Sequence, residues 1–108
     1  MASDDRKPRY AQRVVEDNAA QSRFELRVGE ELAVAEYRRQ PGHLTFVHTE
    51  VPNALRGQGL GSQLARGALE LIRARGEKVA SRCSFMTAFL EKHPEFDDLR
   101  STPDAAGS

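Results

Sequence analysis

The hydrophobic period of this 108-residue chain changes once, across a break at residues 52–61, and that change constrains the fold more than any other feature. Upstream of the break the period is two. Phe24, Leu26 and Val28 alternate with Arg23, Glu25 and Arg27, the pattern of a half-buried strand. Gly29-Glu30 supplies a turn, and Leu32 and Val34 then alternate with Ala33, Ala35 and Tyr37 in a second strand. Pro41-Gly42 breaks that strand. In a third, Leu44, Phe46, His48 and Glu50 share one face, and Thr45, Val47, Thr49 and Val51 share the other. Pro52 ends it, because proline cannot donate to the ladder. Val14-Val15 is a weaker β-branched pair. The short turns imply an antiparallel meander.

Downstream the period is helical. Leu60, Leu64, Ala68, Leu71 and Ile72 recur at three- and four-residue spacing, which predicts an amphipathic helix ending at Gly76. Gly67 inside it costs about 1 kcal/mol against alanine, so close packing is expected there. Lys78-Val79-Ala80-Ser81 reads as a short strand. Phe85, Met86, Phe89 and Leu90 give a second helix, stopped by Pro94. A strand, a crossover helix and a further strand form a right-handed parallel unit. The expected fold class is therefore α+β (mixed α/β), an antiparallel meander followed by β-α-β-α. It occupies one domain, residues 12–100, with polar tails at residues 1–11 and 101–108 expected to be disordered.

Charge and cysteine content narrow the function classes. Sixteen Lys and Arg balance sixteen Asp and Glu, which argues against a general electrostatic grip on nucleic acid. The single cysteine, Cys83, excludes an internal disulfide and a Cys-cluster zinc site, and no metal is expected. No stretch approaches the ~18–20 apolar residues of a membrane span. The start, MASDDRKPRY, has no apolar signal core, so a cytoplasmic location is expected.

The break itself carries the chemistry. Arg56-Gly57-Gln58-Gly59-Leu60-Gly61 joins the third strand to the first helix. Three glycines there strip side chains from one approach surface and let main-chain N–H groups meet a ligand directly. The helix that follows adds unpaired N–H groups and the positive end of its dipole. The sum is an anion site suited to phosphate; the plain structural reading is a glycine-rich turn at a helix start. No Gly-Lys-Ser/Thr follows, so the Walker pattern fails, and Ser62 stands where a dinucleotide fingerprint needs its third glycine.

The spacing Arg56-x-x-Gly59-x-Gly61 resembles the acyl-CoA signature of the GNAT superfamily of N-acetyltransferases. Further elements resemble a small, minimal GNAT-type domain family of roughly 100 residues. They are His48-Thr49-Glu50-Val51-Pro52, Leu55 to Gly61, Cys83-x-Phe85 and His93-Pro94-Glu95-Phe96, within a match spanning about residues 14–99. The resemblance implies a mixed sheet in which the strand before the loop and the strand after the helix splay apart. It implies acetyl-CoA in that gap, its pyrophosphate on Arg56, Gly57, Gln58, Gly59, Leu60, Gly61 and Ser62 and its pantetheine arm along Thr49 to Val51.

The implied activity is acetyl transfer to an amine by direct attack on the thioester. Glu50 is the candidate base, at the end of the strand facing the thioester; a plain exposed strand glutamate is the bland alternative. His48, on the Glu50 face, is a candidate relay, although strand histidines are more often structural. Cys83 is a candidate nucleophile or pocket-lining group, against the alternative of an inert buried cysteine. The tyrosine acid that larger superfamily members carry on the last helix is absent, with Leu90 near its place. A noncatalytic coenzyme A-binding or protein-interaction module is the competing reading. The sequence names neither the amine, small molecule or protein, nor the oligomeric state.

Overall fold

Alternation of apolar and polar side chains builds four antiparallel strands within residues 14–101, the part of the chain that a computed structural model describes. The strands are β1 (Val15–Asn18), β2 (Arg23–Val28), β3 (Glu31–Gln40) and β4 (His43–Glu50). Helix α1 (Leu60–Arg75) crosses over to β5 (Lys78–Ser81), which pairs with β4 in parallel. The sheet order is β1-β2-β3-β4-β5. Helix α2 (Ser84–Lys92) completes the order expected from the change of period, and a 3-10 segment, Pro94–Leu99, follows that the expectation did not contain. The tails expected at residues 1–11 and 101–108 lie outside the described residues except for Ser101, whose N–H donates to Val79 O at 2.6 Å.

One face of the sheet is covered. Phe24 and Leu26 of β2, Leu44 and Phe46 of β4 and Val79 of β5 are fully buried against α1. On β3 the buried set on the covered face is Ala33, Ala35 and Tyr37; Val34, on the other phase, is also buried, and Leu32 is partly covered. Helix α2 and the 3-10 segment lie on the flank of α1. The Arg66 guanidinium of α1 sits 5.9 Å from the Phe89 ring centroid and 5.3 Å from that of Phe96. Those aromatic faces gain cation–π attraction as well as burial. The opposite face carries Arg23, Glu25, Arg27 and Glu36, so the molecule has two layers.

Two local choices fix where α1 lies. Gly76, at φ 74°, caps its C-terminus and donates its N–H to Arg73 O and Ile72 O, a left-handed ending that glycine adopts without strain. Gly67 faces β1: a Cβ built there would fall on Val15 Cγ2 and lie 2.6 Å from Val15 Cβ. The close packing expected at Gly67 is thus a backbone approach between helix and edge strand. Below it, Tyr37 Oη donates to Asp17 Oδ1 at 2.6 Å and Arg75 Nη2 donates to Asp17 Oδ2 at 2.6 Å, tying β1, β3 and the end of α1 together.

Strand β4 departs from strict alternation. Tyr37 pairs with Phe46, but its neighbour Glu36 pairs with His48, so Val47 is an extra residue, a β-bulge. Directly paired residues in an antiparallel ladder point to the same side. Phe46 therefore shares the covered face with Tyr37, whereas His48 joins Glu36 on the open face and Thr49 joins Ala35 on the covered one. This corrects the expected grouping of Leu44, Phe46, His48 and Glu50 on one face. A one-residue insertion inverts every side chain beyond it.

Candidate functional site

The β4·β5 ladder ends at the same place. Its last register pair is Phe46 with Ser81, and Arg82 N–H still donates to Phe46 O at 2.8 Å. Beyond that, among the described residues, His48 to Glu50 have a ladder partner only in β3, and Val47 has none. The ladder between the strands thus stops at their carboxyl ends, where the resemblance implies a gap for the cofactor, with Thr49 and Cys83 meeting across it. In α/β sheets the carboxyl ends of parallel strands are where ligands bind.

The loop that follows β4 sits at the mouth of this gap. Pro52 leads into a 3-10 turn, Asn53–Leu55, whose Leu55 is buried and anchors the loop. Arg56 is extended, at φ −68° and ψ 149°, and exposed. Gly57 (φ 83°) and Gly59 (φ 72°) are both left-handed, both exposed, and have nothing within 4 Å of a notional Cβ. Their absent side chains leave open space over the main chain. Gln58 folds back, its Nε2 donating to Ala54 O at 3.3 Å. Gly59 occupies the N-cap of α1 and has no side chain to cap it; the first main-chain bond of the helix runs from Gln63 N–H to Gly59 O. The N–H groups of Leu60, Gly61 and Ser62 precede that bond and are left for a ligand or water. No acidic side chain stands in the first turn. The local field is that of a helix N-terminus with Arg56 beside it, suited to an anion.

A groove of about 420 Å³ runs from this cradle, lined by Thr49, Val51, Leu55, Arg56, Gly57, Gly59, Leu60, Gly61, Ser62 and Phe85. It gathers every residue assigned from the sequence to cofactor binding except Gln58. At its inner end, Thr49 Oγ1 and Cys83 Sγ are 3.3 Å apart. Cys83 is 7% exposed and forms the N-cap of α2. Its main chain is pinned by Ser81: Cys83 N–H donates to Ser81 Oγ at 3.2 Å, Ser81 Oγ donates to Cys83 O at 3.0 Å, and Thr87 Oγ1 donates to Ser81 Oγ at 2.9 Å. The thiol's hydrogen-bond partner is a neutral hydroxyl, and no base lies within hydrogen-bond reach of it among the described residues.

His48 and Glu50 lie elsewhere. They are neighbours, His48 Nε2 being 3.6 Å from Glu50 Oε1, with side chains 55% and 69% exposed. The bulge puts both on the open face, at the rim of the gap, while Thr49 between them turns toward Cys83. The structure therefore unites the loop, Thr49, Val51 and Cys83, and holds the two candidate proton carriers across the sheet from them. The sequence reading missed Phe85. It used Phe85 only in the apolar spacing of the second helix and in the Cys83-x-Phe85 motif, not as a site residue, yet the ring is 38% exposed and forms a wall of the groove. His93 stacks on Phe89 with centroids 4.0 Å apart at the end of α2, away from the groove.

This geometry has counterparts in known proteins. The solution structure of a GCN5-like protein from Staphylococcus aureus, described as a candidate N-acetyltransferase, superposes with a TM-score of 0.65 at 26% identity, covering 84% of this chain and 90% of that one. The proteins named NATD1 from chicken and mouse are each 34% identical over 47 residues, 44% of this chain. The aligned stretch spans 43% of each of those relatives, less than half their length. A sequence model of the GCN5-related N-acetyl-transferase family matches residues 23–99, from the start of β2 to the end of the 3-10 segment. The chain belongs to the GCN5-related N-acetyltransferase family.

Proposed function

We propose that this protein binds acetyl-CoA and transfers its acetyl group to an amine. The observation that carries this reading is the exposed main chain of Gly57 and Gly59 at the uncapped start of α1, continuous with a groove that reaches Thr49, whose hydroxyl meets the Cys83 thiol. An anion cradle at one end and the Thr49 hydroxyl, in contact with the Cys83 thiol, at the other match a ligand with a diphosphate at one end of its arm and a thioester at the other. The pantetheine arm would lie along β4 at Thr49 and Val51, where the main chain has no β5 partner. Arg56 would add charge to the diphosphate site.

The reaction asks little of covalent chemistry. The amine nitrogen attacks the thioester carbonyl, the C–S bond breaks, and the amine gives up a proton while the sulfur leaves as thiolate. Glu50 takes the amine proton, with His48 beside it, because both stand exposed at the rim of the gap. The amine then enters from the open face of the sheet and coenzyme A lies on the helix face. Cys83 lines the thioester end and gives its proton to the departing thiolate, Thr49 holding the thiol in place.

The test has two parts. Acetyl-CoA should raise the melting temperature, since a ligand that binds only the folded state stabilises it by mass action. A panel of amines should then stimulate thiol release, and Glu50→Gln should abolish that stimulation without changing the thermal shift. The competing reading, a noncatalytic coenzyme A-binding module, draws on buried Leu90 near the place of the missing tyrosine. It predicts the thermal shift with no amine-dependent thiol release.

A further inference from the structure

The three glycines of the loop are not equivalent. Gly57 and Gly59 are required by their left-handed main chain, and a Cβ on either would point into open space. Gly61 has no positive φ; a Cβ there would meet Phe85 Cζ at 3.0 Å, Phe85 Cε1 at 3.3 Å and Val51 Cγ2 at 3.6 Å. Its missing side chain makes room for a ring. Phe85 is the second residue of α2, and its ring rests on the first turn of α1 while remaining 38% exposed on the groove side. Burying an aromatic ring is worth more than leaving it half in water, so an aromatic held partly exposed beside a groove is suited to contact a ligand.

We propose that Phe85 is a cofactor-positioning residue, seated by Gly61, whose exposed face packs against the pantetheine arm of coenzyme A. This rests on the acetyl-CoA reading above. The choice of the pantetheine arm over the adenine ring comes from order along the groove. Cys83, whose thiol meets Thr49, is two residues before Phe85 on one side of the groove, and Thr49 is two residues before Val51 on the other. Phe85 and Val51 both reach Gly61, at the anion cradle. The ring therefore stands between the diphosphate end and the thiol end, the stretch that only the pantetheine arm spans. The arm's methylenes and branched carbon are apolar, as are Val51, Leu55 and Leu60, which share the groove with Phe85. Adenine lies on the far side of the diphosphate from the thiol.

The experiment measures dissociation constants for coenzyme A, for 3′,5′-ADP and for pantetheine 4′-phosphate, on the parent chain, Phe85→Ala and Gly61→Ala, with thermal melts of each without ligand. Phe85→Ala should weaken coenzyme A and pantetheine 4′-phosphate by about tenfold, the loss expected for one aromatic contact, and leave 3′,5′-ADP within about twofold. Gly61→Ala should weaken the same two ligands by tilting the ring, and adding Phe85→Ala to it should bring little further loss. Phe85→Leu should recover part of the loss. A parent chain that binds coenzyme A, with Phe85→Ala unchanged toward all three ligands or weakened equally toward 3′,5′-ADP, overturns the role of Phe85 and leaves the acetyl-CoA reading standing. A parent chain that binds none of the three overturns both.

Discussion

Gly67→Ala sets two effects of opposite sign against each other. In the middle of α1 alanine is the better helix former, by about 1 kcal/mol. Against this, the new Cβ would fall on Val15 Cγ2 and lie 2.6 Å from Val15 Cβ, closer than any relaxed carbon contact. Rotating the Val15 side chain cannot relieve a clash with its own Cβ, so β1 must move away from α1. Strand β1 is four residues long and, among the described residues, pairs only with β2, and Asp17 anchors it to Tyr37 and Arg75, so the move also disturbs those bonds. Overpacking of this kind costs about 1–3 kcal/mol. The net expectation is destabilisation by about 1–2 kcal/mol, read in urea titration as a lower midpoint at constant slope. A domain of this size should lose about 4–8 °C in melting temperature per kcal/mol. The decisive control is the same substitution in a Val15→Gly background, where the obstructing Cβ is gone. There the helix preference acts alone and Gly67→Ala should stabilise by about 1 kcal/mol. A stabilised Gly67→Ala single variant, or the same effect in both backgrounds, would refute the close-approach argument. Because Gly67 lies well over a turn beyond Gly61, coenzyme A affinity should be little changed.

Other expectations concern groups away from the groove and the main chain within it. Burial, then its hydrogen bond to Asp17, holds the Tyr37 hydroxyl above its ordinary pKa of 10.0. The neutral form is favoured in the fold, so that stabilisation is complete below the ordinary phenol range and is lost as pH rises through the folded value. Tyr37→Phe should flatten the alkaline side of a stability-against-pH curve while lowering stability at neutral pH by about 1–2 kcal/mol for the lost bond. The hydrogen bonds from Arg23 and then Asn18 hold Glu25 below its ordinary 4.5, so its contribution is present above that pH and lost as pH falls through the folded value. Glu25→Gln should flatten the acid side, measured by denaturant midpoints in steps from pH 6 to about pH 3. Gly59→Ala forces alanine into a left-handed N-cap at a cost of about 1–2 kcal/mol. It should lower both melting temperature and coenzyme A affinity; an unchanged affinity would argue against direct use of that main chain.

Most of the architecture was legible because it follows from period and punctuation. Lys78–Ser81 and Leu60–Arg75 emerged within a residue of their ends because Gly76 and the glycines of the loop mark boundaries in chemistry as well as in geometry. The 3-10 segment Pro94–Leu99 was not recognised; it holds Phe96 and Leu99 three residues apart, a signal too short to separate from a loop after proline. The roles along β4 were harder to read. Leu44, Phe46, His48 and Glu50 alternate without interruption in the sequence, and a bulge leaves no mark on alternation when the extra residue, Val47, is itself a good strand former. The one hint is the change from apolar to polar at His48 and then to acidic at Glu50 on an unbroken phase. A buried row that turns acidic within four residues, from Phe46 to Glu50, must either bury a charge or change faces, and burying one without a partner costs far more than a bulge. The chain changes faces. That choice sends Thr49 to Cys83 and sends His48 and Glu50 to the open side at the point where β4 parts from β5. Anything that reaches both sets of groups must do so through the gap between the two strands, so on the proposed function a substitution that closes the gap should silence acetyl transfer to the amine even with every one of those side chains intact.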